Sequence, residues 1–168
     1  VEMLPRDISL EHAVLDLVDN SVDGAIRTKI DEIRLNAATP YTGLGCDLMI
    51  SGEEFSIKDN CGGLPKDRLD AALKLGREDG SIDNDKPTIG VYGIGMKRSI
   101  FKIAADATVT SNSSSGFAKV DYTEAWMNPD NSDWRLTISE DEVQSGDQGV
   151  TIMANKLRPN IATTFSSK

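Results

Sequence analysis

The chain has 168 residues, of which 39% are hydrophobic and 5% aromatic, and its formal net charge is -9. This length predicts a single compact domain with its own core and is too short to need two domains. The excess of acidic residues argues against DNA or RNA binding by this segment, and no apolar run or secretory leader predicts a membrane span or export.

The two cysteines, Cys46 and Cys61, form no metal-binding or redox pattern and fit a reduced, cytoplasmic setting. His12 is the only histidine, so it cannot by itself build a metal site or a nucleophile and base pair. These residues therefore exclude several classes of metalloenzyme and nucleophilic hydrolase.

The first predicted helix begins after Ser9, a suitable N-cap, and runs to about Arg27. Small and apolar residues recur on one side at three- and four-residue spacing, which predicts a buried stripe: Leu10, Ala13, Val14, Leu17, Val18, Ser21 and Ala25. The opposite stripe consists of Asp16, Asp19, Asn20 and Asp23. Aspartate is a mediocre helix former, and carboxylates four residues apart repel one another. This stripe either faces water or holds oxygen ligands toward a bound group such as hydrated magnesium.

The next elements are predicted from alternation and turn residues. EIRLNAAT (32–39) reads as a strand, and CDLMIS (46–51) with EFSIKDN (54–60) reads as a hairpin turning at Gly52 and Glu53. KDRLDAALKL (66–75) predicts a short helix. Residues 76–89 are polar and rich in Gly, Asp and Asn, which is typical of a lid, a binding loop or a disordered segment.

The second half of the chain predicts one helix and four strands. A helix should begin near Gly95, and ATVTSNS (107–113) with GFAKVDYT (116–123) should form a hairpin. WRLTISE (134–140) and GVTIMANK (149–156) indicate two more strands. This order predicts an α+β fold, a two-layer α/β sandwich with a mixed, mostly antiparallel sheet and helices on one face.

Two glycine patches favour a bound ligand. In DNCGGLP (59–65), adjacent glycines allow a tight turn and a close backbone approach, although a plain turn is the alternative. Gly90, Gly93 and Gly95 precede a helix whose free amides and positive end suit phosphate oxygens. The patch is not a Rossmann fingerprint, because Arg98 stands where the third glycine belongs, and no Walker Gly-Lys-Ser/Thr occurs.

Taken in order, DLVDNSVDGA, DNCGGLP, IGVYGIGMK and GVTI resemble four boxes of the GHKL superfamily of ATP-binding domains, which includes gyrase B subunits, heat-shock chaperones, histidine kinases and MutL. The wording is closest to the Microrchidia and MutL side of that superfamily. The resemblance covers nearly the whole chain. It implies a single Bergerat-type domain over residues 1–168 that binds ATP and Mg²⁺, with an ATP lid over residues 76–95 and no second, transducer domain.

The resemblance also implies site residues. Asn20 would coordinate Mg²⁺, Asp59 would accept a hydrogen bond from the adenine amino group, and Gly63 would let the base lie close to the backbone. The lid-closing glycine box would cradle the phosphates, with Lys97 as a local cation unless it is simply solvated. The residues implied there are Gly90, Gly93, Ile94, Gly95, Met96 and Lys97.

Three positions depart from the family pattern. Asp16 stands where the ATPase members carry a catalytic glutamate; aspartate can act as a base, but an error of about 1 Å in reaching water can cost roughly a hundredfold in rate. Cys61 replaces the first glycine of the second box, so Gly62 would have to supply the turn. Val150 stands where the family has threonine, and Thr151, implied at the adenine site, would point to the other face unless the strand is bulged.

The sequence therefore predicts a Mg-ATP-binding domain with slow hydrolysis, whose lid closure is detected by a partner protein or by a second copy in a homodimer. One alternative is an ATP-gated binding module without hydrolysis. The other is a histidine-kinase-like domain that acts with a phosphoacceptor elsewhere, because His12 lies within the nucleotide-binding helix itself.

Overall fold

The computed structural model describes residues 8–73, 94–128, 130–131, 133 and 135–167, with the side chain of Ile94 excepted. The predicted lid lies outside these residues as far as residue 93, and so do Gly90 and Gly93.

Five α-helices and six strands make up the described part of the chain. The helices are α1 (Leu10–Thr28), α2 (Ile30–Arg34), α3 (Leu69–Leu73), α4 (Ile94–Ile103) and α5 (Pro159–Ser166), and a short 3-10 turn covers Lys66–Arg68. The strands are β1 (Cys46–Ile50), β2 (Phe55–Asp59), β3 (Ala104–Ser113), β4 (Gly116–Tyr122), β5 (Ser139–Asp141) and β6 (Gly149–Leu157). The strands form one sheet in the order β1-β2-β6-β3-β4-β5.

The α+β sandwich predicted from the sequence is confirmed. All described strand pairs are antiparallel, so this sheet is not mixed. Helices α1 and α4 pack against each other, and α4 also packs on the sheet. None of the helices in the described ranges has the length and apolar character needed to cross a membrane.

The core lies between the helical layer and one face of the sheet. Alternate residues of the central strands point into it, such as Ile57 of β2, Val109 of β3 and Ile152 of β6, because successive side chains of a strand face opposite ways. Phe101 of α4 meets the ring of Tyr122 edge-on, with centroids 5.5 Å apart. Each such fully buried apolar side chain contributes roughly 1.5–3 kcal/mol, which fixes α4 on the sheet.

Local signals predicted several elements correctly. The Ser9 side chain caps α1 by accepting a hydrogen bond from the His12 amide at 3.2 Å. The hairpin over 46–60 forms with Leu48 opposite Ile57, and the second hairpin turns over residues 113–116 as expected.

The strand predicted over residues 32–39 is wrong. Residues 30–34 form α2, in which Ile30 and Ile33 share one half-buried side at helical spacing. A Lys29–Glu32 ion pair at 3.2 Å, three residues apart, further favours the helix. Side-chain interactions at helical spacing therefore outweigh the strand preference of the β-branched residues in this segment.

Two elements in the C-terminal part of the sequence differ from the sequence predictions. Of the described residues of WRLTISE, which begin at Arg135, only Ser139 and Glu140 join the sheet, while Leu136 and Ile138 pack on the core without strand pairing. Helix α5 was not predicted; it begins with Pro159 in its first turn, and Phe165 stacks on Phe55 with ring centroids 6.1 Å apart.

Candidate functional site

The carboxylate of Asp59 lies at the end of β2, facing α1, and is only 9% exposed. Its Oδ1 accepts hydrogen bonds from the amides of Cys61 at 2.9 Å and Val150 at 3.1 Å. Its Oδ2 accepts from the Ser21 hydroxyl at 2.9 Å. An ionised carboxylate has about four acceptor positions, so these three donors leave one. Asp59 is therefore a buried, oriented acceptor that suits an N–H donor on a ligand.

The turn after Asp59 depends on two glycines with left-handed backbone. Gly62 has φ +95° and Gly63 has φ +67°, whereas Cys61 does not adopt a positive φ. A side chain at Gly63 would overlap the carbonyl oxygen of Asn112. The prediction that Gly62 supplies the turn in place of a glycine at Cys61 is confirmed. Burial raises the pKa of the Cys61 thiol, so the thiol stays protonated at neutral pH.

The second half of α1 holds this turn from one side. Arg27 Nη2 donates to the carbonyl oxygen of Gly63 at 2.8 Å, and Thr28 Oγ1 donates to that of Cys61 at 2.8 Å. Gly24 lets the helix come close, since an added Cβ would lie 3.0 Å from the Cys61 oxygen. Burial is the largest influence on Arg27 and lowers its pKa, although arginine remains charged.

Other elements hold the turn from the remaining sides. The Asn60 side chain accepts from the Gly45 amide at 2.6 Å and donates to the Gly43 carbonyl at 2.9 Å. The Ser111 hydroxyl of β3 accepts from the Leu64 amide at 2.7 Å. The turn is thus fixed by the protein's own hydrogen bonds, the kind of preorganisation that lowers the cost of binding a ligand.

Strand β6 meets Asp59 through its main chain. Gly149 allows the approach, because a side chain there would overlap the Asp59 carbonyl oxygen. Thr151 pairs with Lys58 and Thr110 in regular register, and alternation places it on the sheet face opposite to buried Ile152. The structure therefore does not bring Thr151 to Asp59, and the Val150 amide makes that contact instead.

Asp16 lies beside the first turn of α4, at the other end of the site. Its Oδ2 accepts from Arg98 Nη2 at 3.2 Å and from Ser99 Oγ at 3.3 Å. A Cβ built on Gly95 would have Asp16 Oδ2 as its nearest neighbour, at 3.9 Å. The first amides of a helix, here those of Ile94, Gly95 and Met96, have no intrahelical acceptor and carry partial positive charge. The structure therefore brings the predicted base next to Gly95, in the helix turn that carries these three predicted phosphate-binding amides.

Met96 and Lys97 have buried side chains. Met96 packs into the core, so only its amide is available to a ligand. Lys97 is 2% exposed, and its Nζ donates to the carbonyl oxygen of Ala71 in α3 at 3.2 Å. Burial lowers the pKa of Lys97 to about 8. The alternative of a solvated lysine is therefore wrong, while a phosphate contact stays a prediction.

The described residues include no cluster of three or more histidine, cysteine or acidic side chains that could hold a metal ion. Asn20 is exposed, and its Nδ2 donates to the Asp16 carbonyl at 2.8 Å, so its Oδ1 is the atom left for a metal. Mg²⁺ usually keeps several waters and takes ligands from phosphates, so a single amide oxygen fits its needs. His12 is exposed beside the Ser9 cap, with Nδ1 and Oγ 3.2 Å apart.

Sequence reasoning missed several residues that build the site: Ser21, Arg27, Thr28, Ser111 and Gly149. Ser21 carried a signal, since a hydroxyl in an otherwise apolar stripe requires a buried partner. The sequence places Gly149 in the GVTI box but gives no sign that it contacts Asp59. The other three contact residues distant in the chain, and no local pattern marks them.

The fold, with Asp59 at one end of the candidate site and Asp16 at the other, matches a known class of protein. A family model described as histidine kinase-, DNA gyrase B-, and HSP90-like ATPase matches residues 8–152, and the chain belongs to this family. Family membership supports ATP binding and confirms the GHKL resemblance of the four sequence boxes.

Two curated relatives agree with this assignment. The chain is 33% identical over 109 residues to Protein MICRORCHIDIA 1 from Arabidopsis thaliana, and 31% identical over 108 residues to Protein MICRORCHIDIA 3 from the same plant. Each alignment covers 62% of this chain but only 15% and 16% of the relatives, respectively. The chain therefore corresponds to a small part of those longer proteins.

Proposed function

We propose that this domain binds Mg-ATP along α1, between the turn after β2 and the first turn of α4, and hydrolyses it slowly. The main support is that α1 contributes to both ends of the site. Ser21 donates to Asp59, and Asp16 accepts from Arg98 of α4. Asp16 precedes Ser21 by five positions, which is roughly 7.5 Å along the axis of α1. One rigid helix thus sets the spacing between the base-binding and phosphate-binding ends.

Asp59 would select adenine. Its remaining acceptor position suits the exocyclic amino group of adenine, whereas guanine would place a carbonyl oxygen against a carboxylate that cannot donate. The three donors already on Asp59 hold the carboxylate in one orientation, so the ligand need not order it. Gly63 would let the base lie against the turn.

The phosphates would lie at the first turn of α4, where the free amides and the helix dipole favour anions. Mg²⁺, held on the Asn20 oxygen, would neutralise phosphate charge. Lys97, whose ammonium group has three N–H donors, would contribute if one of them reached a phosphate oxygen. Gly90 and Gly93 remain predicted phosphate contacts from sequence alone.

For hydrolysis, Asp16 would act as the general base. The water oxygen forms a bond to the γ-phosphorus, its proton passes to the Asp16 carboxylate, and the bond to the bridging oxygen breaks with its electrons going to ADP. Asp16 is 30% exposed and lies beside the first turn of α4, which would hold the phosphates, and both observations support this role. We expect slow turnover because aspartate is shorter than the glutamate of the ATPase relatives.

The second candidate function is an ATP-gated binding module without hydrolysis. The short side chain of Asp16 favours it. In both cases we propose that residues 76–95 close over the nucleotide and that a partner protein or a second copy of the chain detects closure. The support is the glycine spacing of the sequence. Free Cys46 and Cys61 fit a reducing, cytoplasmic setting.

The test combines calorimetric titration with ATP and Mg²⁺ and a phosphate-release assay. We expect the parent to bind ATP and release phosphate slowly, Asn20→Ala to bind more weakly, and Asp16→Ala to lose about a hundredfold in rate with unchanged affinity. Asp16→Glu should raise the rate. The matched control is Asp19→Ala, an exposed acid on the same helix, which should change neither quantity.

The outcomes separate the candidates. Binding without phosphate release from the parent or from Asp16→Glu would favour the non-hydrolysing module. No heat on titration of the parent, with Asn20→Ala indistinguishable from it, would defeat Mg-ATP binding altogether.

A further inference from the structure

Two consecutive residues of α4 hold one oxygen of the Asp16 carboxylate. Arg98 Nη2 and Ser99 Oγ both donate to Oδ2, at 3.2 and 3.3 Å. Ser99 is fully buried, while the side chain of Arg98 is 36% exposed. Among the described residues, Oδ1 of Asp16 has no hydrogen-bond donor. The two oxygens of this carboxylate are therefore not equivalent.

This asymmetry matters for a general base. The terminal torsion of aspartate is broad, so the plane of an unrestrained carboxylate has no fixed direction. Two donors on the same oxygen remove that freedom, and they do so from a helix packed along α1. Catalytic groups must be held within about 0.5 Å of the productive geometry by such supporting contacts.

We propose that Arg98 and Ser99 are positioning residues for Asp16, holding Oδ2 so that Oδ1 faces the attacking water. This inference rests on the hydrolysis proposed above. It explains how an aspartate one methylene shorter than glutamate would still function as the base: α4, whose first turn would hold the phosphates, fixes the direction of Asp16 from its next turn.

The bonding of Arg98 supports a role beyond stability. Its Nε is buried and has no acceptor among the described residues, which is costly for a charged side chain. Its ion pair with Asp16 is partly exposed, and such pairs contribute little to stability. Stability alone therefore does not account for an arginine here, whereas orientation of Asp16 does.

The test is steady-state ATP hydrolysis by the full chain, with kcat and KM measured separately and ATP affinity measured by titration. Arg98→Ala should lower kcat about tenfold with KM and affinity unchanged, because it disturbs the base and not the nucleotide contacts. Arg98→Lys should recover part of kcat, and Ser99→Ala should lower it about threefold. Lys102→Ala, a basic residue of the same helix, is the matched control and should leave kcat unchanged.

A double variant tests whether Arg98 acts through Asp16. If it does, Asp16→Ala with Arg98→Ala should be no slower than Asp16→Ala alone, since the two changes remove the same function. A further drop in rate in the double variant, or a raised KM with unchanged kcat in Arg98→Ala, would show that Arg98 contacts phosphate directly and would overturn the proposal.

Other results also decide the question. A parent that hydrolyses ATP, with kcat unchanged in Arg98→Ala, overturns positioning and leaves the proposed function intact. A parent that binds ATP without phosphate release overturns both hydrolysis and positioning, and one that binds no ATP overturns the proposed function itself. Should Arg98→Ala fail to fold in a thermal melt, Ser99→Ala still decides: an unchanged kcat in that variant contradicts the proposal.

Discussion

The two ends of the site are held to very different degrees. The turn over residues 59–64 makes hydrogen bonds with α1, with the segment before β1, with β3 and with β6, and Asp59 is buried. The Asp16 carboxylate receives two bonds from one helix and is 30% exposed. The proposed base-binding end is therefore preorganised, while the proposed catalytic end depends on few contacts. A change at Asp16 should therefore alter the proposed hydrolysis without disturbing the proposed recognition of the base at Asp59.

Removing the charge of Asp59 should have the largest effect on binding. In Asp59→Asn, an amide N–H would face the adenine amino group, so we expect ATP affinity to fall at least about a hundredfold, or roughly 2.7 kcal/mol. The free energy of unfolding should fall by about 1–2 kcal/mol, because the amide oxygen can still accept from the two main-chain donors.

Titration calorimetry and urea unfolding measure these two effects. The matched control is Asp47→Asn on neighbouring β1, an exposed acid that should leave both quantities within error. An unchanged ATP affinity in Asp59→Asn would show that this carboxylate does not bind the nucleotide.

Replacing a glycine by alanine should affect stability differently at the two ends of the site, near Asp59 and near Asp16. In Gly149→Ala, the new methyl group would overlap the main-chain oxygen of Asp59, so β2 and β6 must separate, at a cost of about 3 kcal/mol. In Gly95→Ala, the methyl group makes an ordinary contact at 3.9 Å with Asp16, and helix propensity favours alanine by up to about 1 kcal/mol.

Urea unfolding of both variants checks this contrast. Gly45→Ala is the control for glycine replacement in general, since nothing lies within 4 Å of its added Cβ. Equal destabilisation by Gly149→Ala and Gly95→Ala would mean that the two ends are packed alike.

The effect expected at Lys97 is a pH dependence of stability. Burial lowers its pKa to about 8 from 10.5, so between these pH values the unfolded chain binds a proton that the folded chain has lost. Stability attributable to Lys97 therefore rises with pH across that window, by at most about 1.4 kcal/mol per pH unit.

The comparison of parent and Lys97→Met isolates this contribution. Cys61 and Tyr122, whose pKa values are raised by burial, titrate in both proteins and cancel in the difference. The unfolding free energy of the parent relative to the variant should increase from pH 8 to pH 10. A difference in unfolding free energy that does not change with pH would contradict the burial of Lys97. It would also contradict the packing assigned to the α4 end of the site.

Signals confined to a few neighbouring residues were enough to predict much of the fold. The Ser9 cap, the buried stripe of α1 and the two hairpins follow from caps, periodicity and turn residues, which act within a few positions. The four motifs in order also identified the family. Where local signals competed, as in residues 30–34, side-chain pairing within one helical turn decided against the predicted strand.

The sequence by itself determined the candidate residues of the proposed site: Asp16, Asn20, Asp59 and the glycines of the two patches. Only the tertiary structure decided what each of them contacts. Asp59 takes two of its three donors from residues 38 and 91 positions away, and Asp16 meets Arg98 across 82 positions. Such contacts depend on how strands pair and helices pack, and no local periodicity encodes them, so the structure alone placed Val150 rather than Thr151 beside Asp59.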